Sequence, residues 1–161
     1  NEDVISICDR YPDIYPVNFN CPGQVSVSGL SEKMPEFYND VKAAGGRAIP
    51  IKVKGAFHSP YMNEASKDFA AEIDKAVISK PKITVYSDMT AMPYDEDVKS
   101  LLSKQICNPV KWEQAIRNMI DAGIDTFVEI GPGKTLTNMI RKISTEVKAC
   151  ALNDYLAEVE G

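Results

Sequence analysis

Histidine occurs once in these 161 residues, tryptophan once and cysteine four times. The cysteines stand at positions 8, 21, 107 and 150 with no Cys-x-x-Cys pair, so a zinc site would have to be assembled from scattered ligands, and no metal is expected. Nor do they form a disulfide framework; small buried thiols in a reducing compartment are the expected state. No apolar run approaches the roughly 18 to 20 residues that span a bilayer, and no basic segment leading into an apolar one opens the chain. A cytoplasmic protein without a membrane partner is expected. Blocks of Lys or Arg are missing too: 18 basic against 23 acidic residues leave a formal net charge of −5. Nucleic-acid affinity is built largely from neutralised phosphates, so a nucleic-acid partner is not expected. What remains, 44% hydrophobic and 25% charged residues, is the make-up of an ordinary globular domain or of two small lobes. The chain opens at Asn1 without an initiator methionine, which suggests a piece of something longer.

Residues 1–56 read as a small α+β unit. Asp3 caps a short helix to about Arg10, and Pro12 stops it. Tyr15–Asn20 and Gln24–Gly29 alternate like strands around Cys21-Pro22-Gly23-Gln24, a type II turn sequence, and so predict a hairpin. Alternation puts Val17 and Phe19 on one face and Asn18 and Asn20 on the other. A helix from Ser31 to about Ala44 follows, closed by Gly45-Gly46, and Ile49, Ile51 and Val53 predict one more strand.

Residues 57–161 change character. Ser59-Pro60 starts a helix with Met62, Phe69, Ile73, Ala76 and Val77 as its buried stripe. Ile83–Tyr86 predicts a strand, 95–106 a helix, and Asn108-Pro109 the start of another that Gly123 ends. Thr126–Ile130, the Gly131-Pro132-Gly133 turn, a helix carrying Leu136, Met139, Ile140 and Ile143, and a strand Val147–Leu152 complete the pattern. Strands alternating with helices imply a parallel α/β sheet.

Few residues offer chemistry. His58 follows a predicted strand and precedes a predicted helix, which is where α/β sheets present ligands. The positive end of that helix favours a neutral ring able to accept a proton, although a lone histidine is as readily a packing residue. Gly131-Pro132-Gly133-Lys134-Thr135 ends like a phosphate-binding loop, but Val128 occupies the position of the required upstream glycine. It is either a plain strand-to-helix turn or a set of amides facing an anionic or carbonyl group. The Asp95-Glu96-Asp97 run suits a solvated helix end. No Gly-x-Ser-x-Gly elbow exists, so a serine nucleophile is absent and only Cys21 or Cys107 could replace it.

Four segments converge on one family. Asn18-Phe19-Asn20-Cys21-Pro22-Gly23-Gln24-Val25, Gly55-Ala56-Phe57-His58-Ser59-Pro60-Tyr61-Met62, Gln105-Ile106-Cys107-Asn108-Pro109-Val110-Lys111-Trp112 and Glu129-Ile130-Gly131-Pro132-Gly133-Lys134-Thr135-Leu136 occur in order. They resemble successive blocks of the malonyl-CoA:acyl carrier protein transacylases of fatty acid synthesis, relatives of polyketide synthase acyltransferase domains. The resemblance implies transfer of malonyl from coenzyme A, through a serine, to the phosphopantetheine thiol of acyl carrier protein, with no cofactor beyond these thioesters. It makes His58 the base, oriented by a backbone carbonyl or an amide side chain of the third block, Gln105 first and Asn108 second. It places Asn20 and Gln24 at the mouth between two lobes.

The resemblance also implies the fold: the C-terminal part of an α/β-hydrolase-like lobe over 57–161, and over 1–56 a ferredoxin-like lobe lacking its first strand. The family's Gly-His-Ser-Leu-Gly elbow, its oxyanion glutamine loop and its malonyl-gripping arginine precede the first block and are not in this sequence; Arg117 is not that arginine. The expected partners are therefore malonyl-CoA, acyl carrier protein and a missing N-terminal half. Phe57 resembles the phenylalanine of malonyl-selective polyketide relatives, whose ring fills the volume an α-methyl group needs. The contrasting expectation is a non-catalytic α/β module that binds a ligand or partner strand.

Overall fold

The computed structural model describes residues 1–160. Strands Ile14–Cys21 (β1) and Gln24–Gly29 (β2) form the expected antiparallel hairpin, with Ile14 opposite Gly29 and Cys21 opposite Gln24. Gly23, at φ +76°, supplies the left-handed residue that a type II turn needs. Helices Glu2–Cys8 (α1) and Met34–Ala43 (α2) pack with the hairpin, and Ile7, Cys8, Tyr11, Ile14, Phe37 and Val41 form their common core. Tyr11 meets Phe37 edge-on at 5.8 Å and donates its hydroxyl to Asp40 at 2.8 Å, so a buried polar group finds a partner at the core's rim.

A second core lies further along the chain. After a 3-10 turn at Pro60–Met62 come helices Asn63–Ile73 (α3), Val98–Gln105 (α4) and Trp112–Asp121 (α5). Strand Thr126–Glu129 (β3), helix Thr135–Ile143 (α6), strand Lys148–Ala151 (β4) and helix Leu152–Glu160 (α7) follow. β3 and β4 pair in parallel, Thr126 opposite Lys148, and α6 is the crossover that a parallel pair requires. Ile116, Ile140, Ile143 and Ala149 close around Cys21, which β1 carries across from the hairpin. One strand thus anchors both cores. Ser66 Oγ donates to the Ser103 carbonyl at 2.7 Å, fastening α3 to α4.

Several expectations from sequence need correction. Ile49, Ile51 and Val53 form no strand and are 65%, 68% and 57% exposed, because no neighbouring strand accepts their backbone. Ile83–Tyr86 likewise yields only an isolated bridge, Tyr86 to Pro93. The apolar stripe after Ser59 buries Ile73 but leaves Phe69 and Ala76 exposed, and Val77 lies beyond the helix at 98% exposure. Asn1, not Asp3, occupies the cap position of α1, and α2 starts at Met34 after a turn rather than at Ser31. The 95–106 helix is shorter, Val98–Gln105, and α7 has no counterpart in the sequence reading. α5 begins at Trp112 instead of Pro109, since Val110 is drawn alongside β1: its N–H donates to Val17 at 2.9 Å, and its carbonyl accepts from Phe19 at 2.8 Å.

Candidate active site

The backbone around the single histidine is strained. His58 lies at φ +61°, a left-handed conformation costly for a residue with a Cβ. Two contacts hold it there. Its N–H donates to the Ile106 carbonyl at 3.1 Å, and its Nδ1 lies 2.9 Å from the Gln105 carbonyl. A carbonyl only accepts, so this contact puts the ring proton on Nδ1 and leaves the Nε2 lone pair free to take a proton. Just beyond, Ser59 is buried, donates to the Ala56 carbonyl at 2.6 Å and accepts from the Tyr61 N–H at 3.3 Å. This is the cap that Ser59-Pro60 predicts, and it fixes the chain direction directly after His58.

The third block is therefore the wall against which the histidine is set. The Gln105 carbonyl lies at the end of α4, where carbonyls have no partner within the helix, and His58 uses one of them. The Gln105 amide is sealed from solvent with neither polar atom hydrogen-bonded among the described residues; the same is true of the Trp112 indole N–H. Asn108 makes no hydrogen bond to the ring among the described residues. Its amide donates to the Lys104 carbonyl at 2.8 Å and so caps the end of α4. Cys107 is half-buried, with its thiol 3.5 Å from the Lys104 carbonyl. Asp88 is a residue that sequence reasoning missed: its backbone carbonyl accepts from the Lys111 N–H at 2.7 Å. Desolvation pushes the Asp88 carboxyl above the ordinary carboxylate range, and protonation of the nearby His58 would oppose that rise. The residue as a whole is exposed, and no motif in the sequence marks it.

The other residues singled out from sequence make contacts of their own. Asn20 donates to Ser26 Oγ at 3.2 Å across the hairpin. Gln24 stands at the hairpin turn, its side-chain oxygen 3.8 Å from the buried Cys21 sulfur. Neither hydrogen-bonds to His58 or Gln105 among the described residues. The link is made by backbone: Asn18 bridges Val110 in parallel, which brings β1 beside the third block. Phe57 is 48% exposed and folds its ring back over Gly55, where an added Cβ would meet the ring at 2.9 Å. Gly55, at φ +144°, makes that approach possible.

The fourth block proves to be a self-satisfied turn. Glu129, the last residue of β3, accepts from the Leu136 N–H at 3.1 Å and the Thr137 N–H at 2.8 Å, occupying amides that an outside anion would need. The Thr137 amide, helped by those of Leu136 and Thr135, holds the Glu129 carboxyl below its usual range. Lys134 pairs with Asp154 at 2.7 Å. Arg117 pairs with Glu113 within α5.

Residues 3–156 match the acyl transferase domain family. A malonyl CoA-acyl carrier protein transacylase of Bacillus subtilis is 36% identical over 141 residues, covering 85% of this chain and 44% of that protein. The crystal structure of such a transacylase from Clostridium perfringens superposes with a TM-score of 0.90 at 30% identity, over 99% of this chain and 53% of that one. A malonyl-transacylase solved in complex with a type II polyketide acyl carrier protein gives 0.92 at 28% identity, over 99% and 53%. The chain spans about half the length of the relatives it matches, and corresponds to their C-terminal half. Its four blocks, its α/β architecture and the match over residues 3–156 together show that this chain belongs to the acyl transferase domain family.

Proposed function

We propose that this chain is the histidine-bearing half of a malonyl-CoA:acyl carrier protein transacylase, acting in the cytoplasm with a serine supplied by a segment outside these 161 residues. The observation that carries this is the 2.9 Å contact of His58 Nδ1 with the Gln105 carbonyl at a strained backbone position. Strain kept in place by two hydrogen bonds indicates a ring whose orientation matters. In the first half-reaction Nε2 removes the proton from the serine hydroxyl, whose oxygen attacks the thioester carbonyl of malonyl-CoA. The imidazolium then returns that proton to the departing coenzyme A thiolate. In the second, Nε2 takes the proton of the carrier protein's phosphopantetheine thiol, whose sulfur attacks the malonyl-serine ester, and the serine oxygen leaves with the proton. No cofactor enters either step.

Gln105 is the orienting residue through its carbonyl, and Asn108 supports it by capping α4. Asn20 and Gln24 line the approach from the hairpin side, and Phe57 limits the volume beside the acyl group. The lobes follow the same scheme: 1–56 as a ferredoxin-like unit short of its first strand, and 57–161 as the end of an α/β-hydrolase-like lobe. The exposed Ile49, Ile51 and Val53 support a second segment packing here, since their apolar surface is otherwise left in water.

The test is His58→Ala in the enzyme assembled with its serine-bearing segment. Malonyl transfer is expected to fall at least about 10²-fold, the low end for a positioned base, with the melting temperature essentially kept. Near-normal transfer would return His58 to a packing role. Phe57→Ser is expected to shift the malonyl-CoA to methylmalonyl-CoA preference by about ten- to two-hundred-fold, read by direct competition. An unchanged ratio would place the exclusion elsewhere.

A further inference from the structure

Residues 1–56 are tied to residues 57–161 by few polar contacts. Apart from the local Ser59 cap, two side-chain hydrogen bonds cross that boundary among the described residues: Asn1 to Glu113 at 2.9 Å and Tyr61 to Asp13 at 3.2 Å. Backbone bonds cross it at Val110, between the third block and β1. Of these, only the Tyr61 contact starts from the turn that carries His58. The chain leading into His58 adds little support, since residues 47–57 make one backbone–backbone hydrogen bond, Val53 N–H to the Ile51 carbonyl at 2.8 Å.

Tyr61 is the middle residue of the 3-10 turn Pro60–Met62, and it is engaged on two sides. Its N–H donates to Ser59 Oγ at 3.3 Å, completing the cap directly after His58. Its hydroxyl donates to Asp13 Oδ1, and its ring meets Tyr15 edge-on at 5.8 Å and 80°. Asp13 is seated on the open end of the hairpin: its carbonyl accepts from the Leu30 N–H at 3.2 Å, and a Cβ added at Gly29 would meet that carbonyl at 2.3 Å. Tyr15 is the second residue of β1, the strand that carries Asn20 toward the turn before Gln24. Core packing does not account for this side chain, because Tyr61 is 45% exposed.

Resting on the function proposed above, we infer that Tyr61 is a positioning residue: it latches the hairpin, through Asp13 and Tyr15, to the turn that carries His58, and so fixes the mouth at Asn20 and Gln24 relative to Nε2. Tyr61 touches no reacting atom. What it sets is the path of the phosphopantetheine arm, which coenzyme A and the carrier protein share. A donor that lacks most of this arm spans less of the mouth and depends less on the latch.

In the assembled enzyme, kcat/KM for serine acylation is measured with malonyl-CoA and with malonyl-N-acetylcysteamine, which keeps the thioester and only the last atoms of the arm. Tyr61→Phe removes the hydroxyl and keeps the ring. Loss of this one hydrogen bond is expected to lower the ratio of malonyl-CoA to short thioester about three- to tenfold. Asp13→Ala should lower it as much, and the double variant no further, because both cut the same contact. An unchanged ratio, an equal fall with both donors, or additive losses overturns the inference. Hydrogen exchange gives a readout independent of turnover. The Leu30 N–H, held by the Asp13 carbonyl, should exchange at least about threefold faster in Tyr61→Phe, with the Val110 N–H unchanged. Unchanged exchange at Leu30 overturns the latch as well. Faster Leu30 exchange in an assembled enzyme that transfers no malonyl upholds the latch and defeats the proposed reaction.

Discussion

Residues 126–151 and residues 47–57 both carry apolar segments, yet only the first makes strands. Thr126–Glu129 finds Lys148–Ala151 alongside it, and α6 packs on the pair. Ile49, Ile51 and Val53 have comparable β character but no neighbour, and their side chains lie open. Alternation prepares a strand, whereas pairing makes one. β1 says the same from the other side, because its outer edge is satisfied at Val17 and Phe19 by a single residue, Val110, taken from what the sequence presents as a helix start. Two cores form in this chain, and Ile49, Ile51 and Val53 belong to neither.

That contrast is sharpened first by core substitutions. Ile116 is 1% exposed in the second core, and Ile116→Ala is expected to cost about 2–5 kcal/mol in denaturant unfolding. Ile51→Ala in the chain alone should stay within about 0.5 kcal/mol, as for other exposed sites. A large loss at Ile51 would mean that the bare segment is already packed. Once the serine-bearing segment is present, Ile51→Ala should become costly.

A second test separates strain from chemistry. His58→Gly is expected to be about 1 kcal/mol more stable than His58→Ala, since glycine accepts φ +61° and alanine does not, while both lack the base. Equal stabilities would show that the loop relaxes and that the strain is not enforced.

The smallest effect concerns Glu129. Hydrogen bonds from the Thr137 and Leu136 amides lower its folded pKa, so its stabilising effect is full above the unfolded carboxyl value and is lost as pH falls through the lower folded value. Glu129→Gln should lower the melting temperature by a few degrees near neutrality. The gap to the unsubstituted chain should close below about pH 4. A gap independent of pH would show that shape rather than charge caps α6.

Local signals were legible from sequence and distant ones were not. The hairpin turn, the Ser59 cap, the Gly131-Pro132-Gly133 turn and the β3–α6–β4 unit rest on neighbours in sequence, and all form. His58 stood out as the lone histidine at a segment boundary, and Gln105 only through family likeness. The strands at 49–53 and 83–86 depend on pairing that alternation does not guarantee. Asn108-Pro109 looked like a helix start, but Asn108 caps the preceding helix and Val110 completes β1. Asp88 carries no local motif; only the fold brings it near His58.

If this chain supplies the base while another segment supplies the nucleophile and covers its bare face, hydrogen exchange with and without that segment will show it. For the chain alone, amides of 47–57 and 81–86 should exchange quickly while those of β1, β2, β3 and β4 are protected. Adding a polypeptide that carries the Gly-His-Ser-Leu-Gly block should slow the first group at least about tenfold and switch on malonyl transfer to carrier protein, with transfer lost in His58→Ala. Protection already present in the chain alone, or transfer without the second polypeptide, would contradict the account.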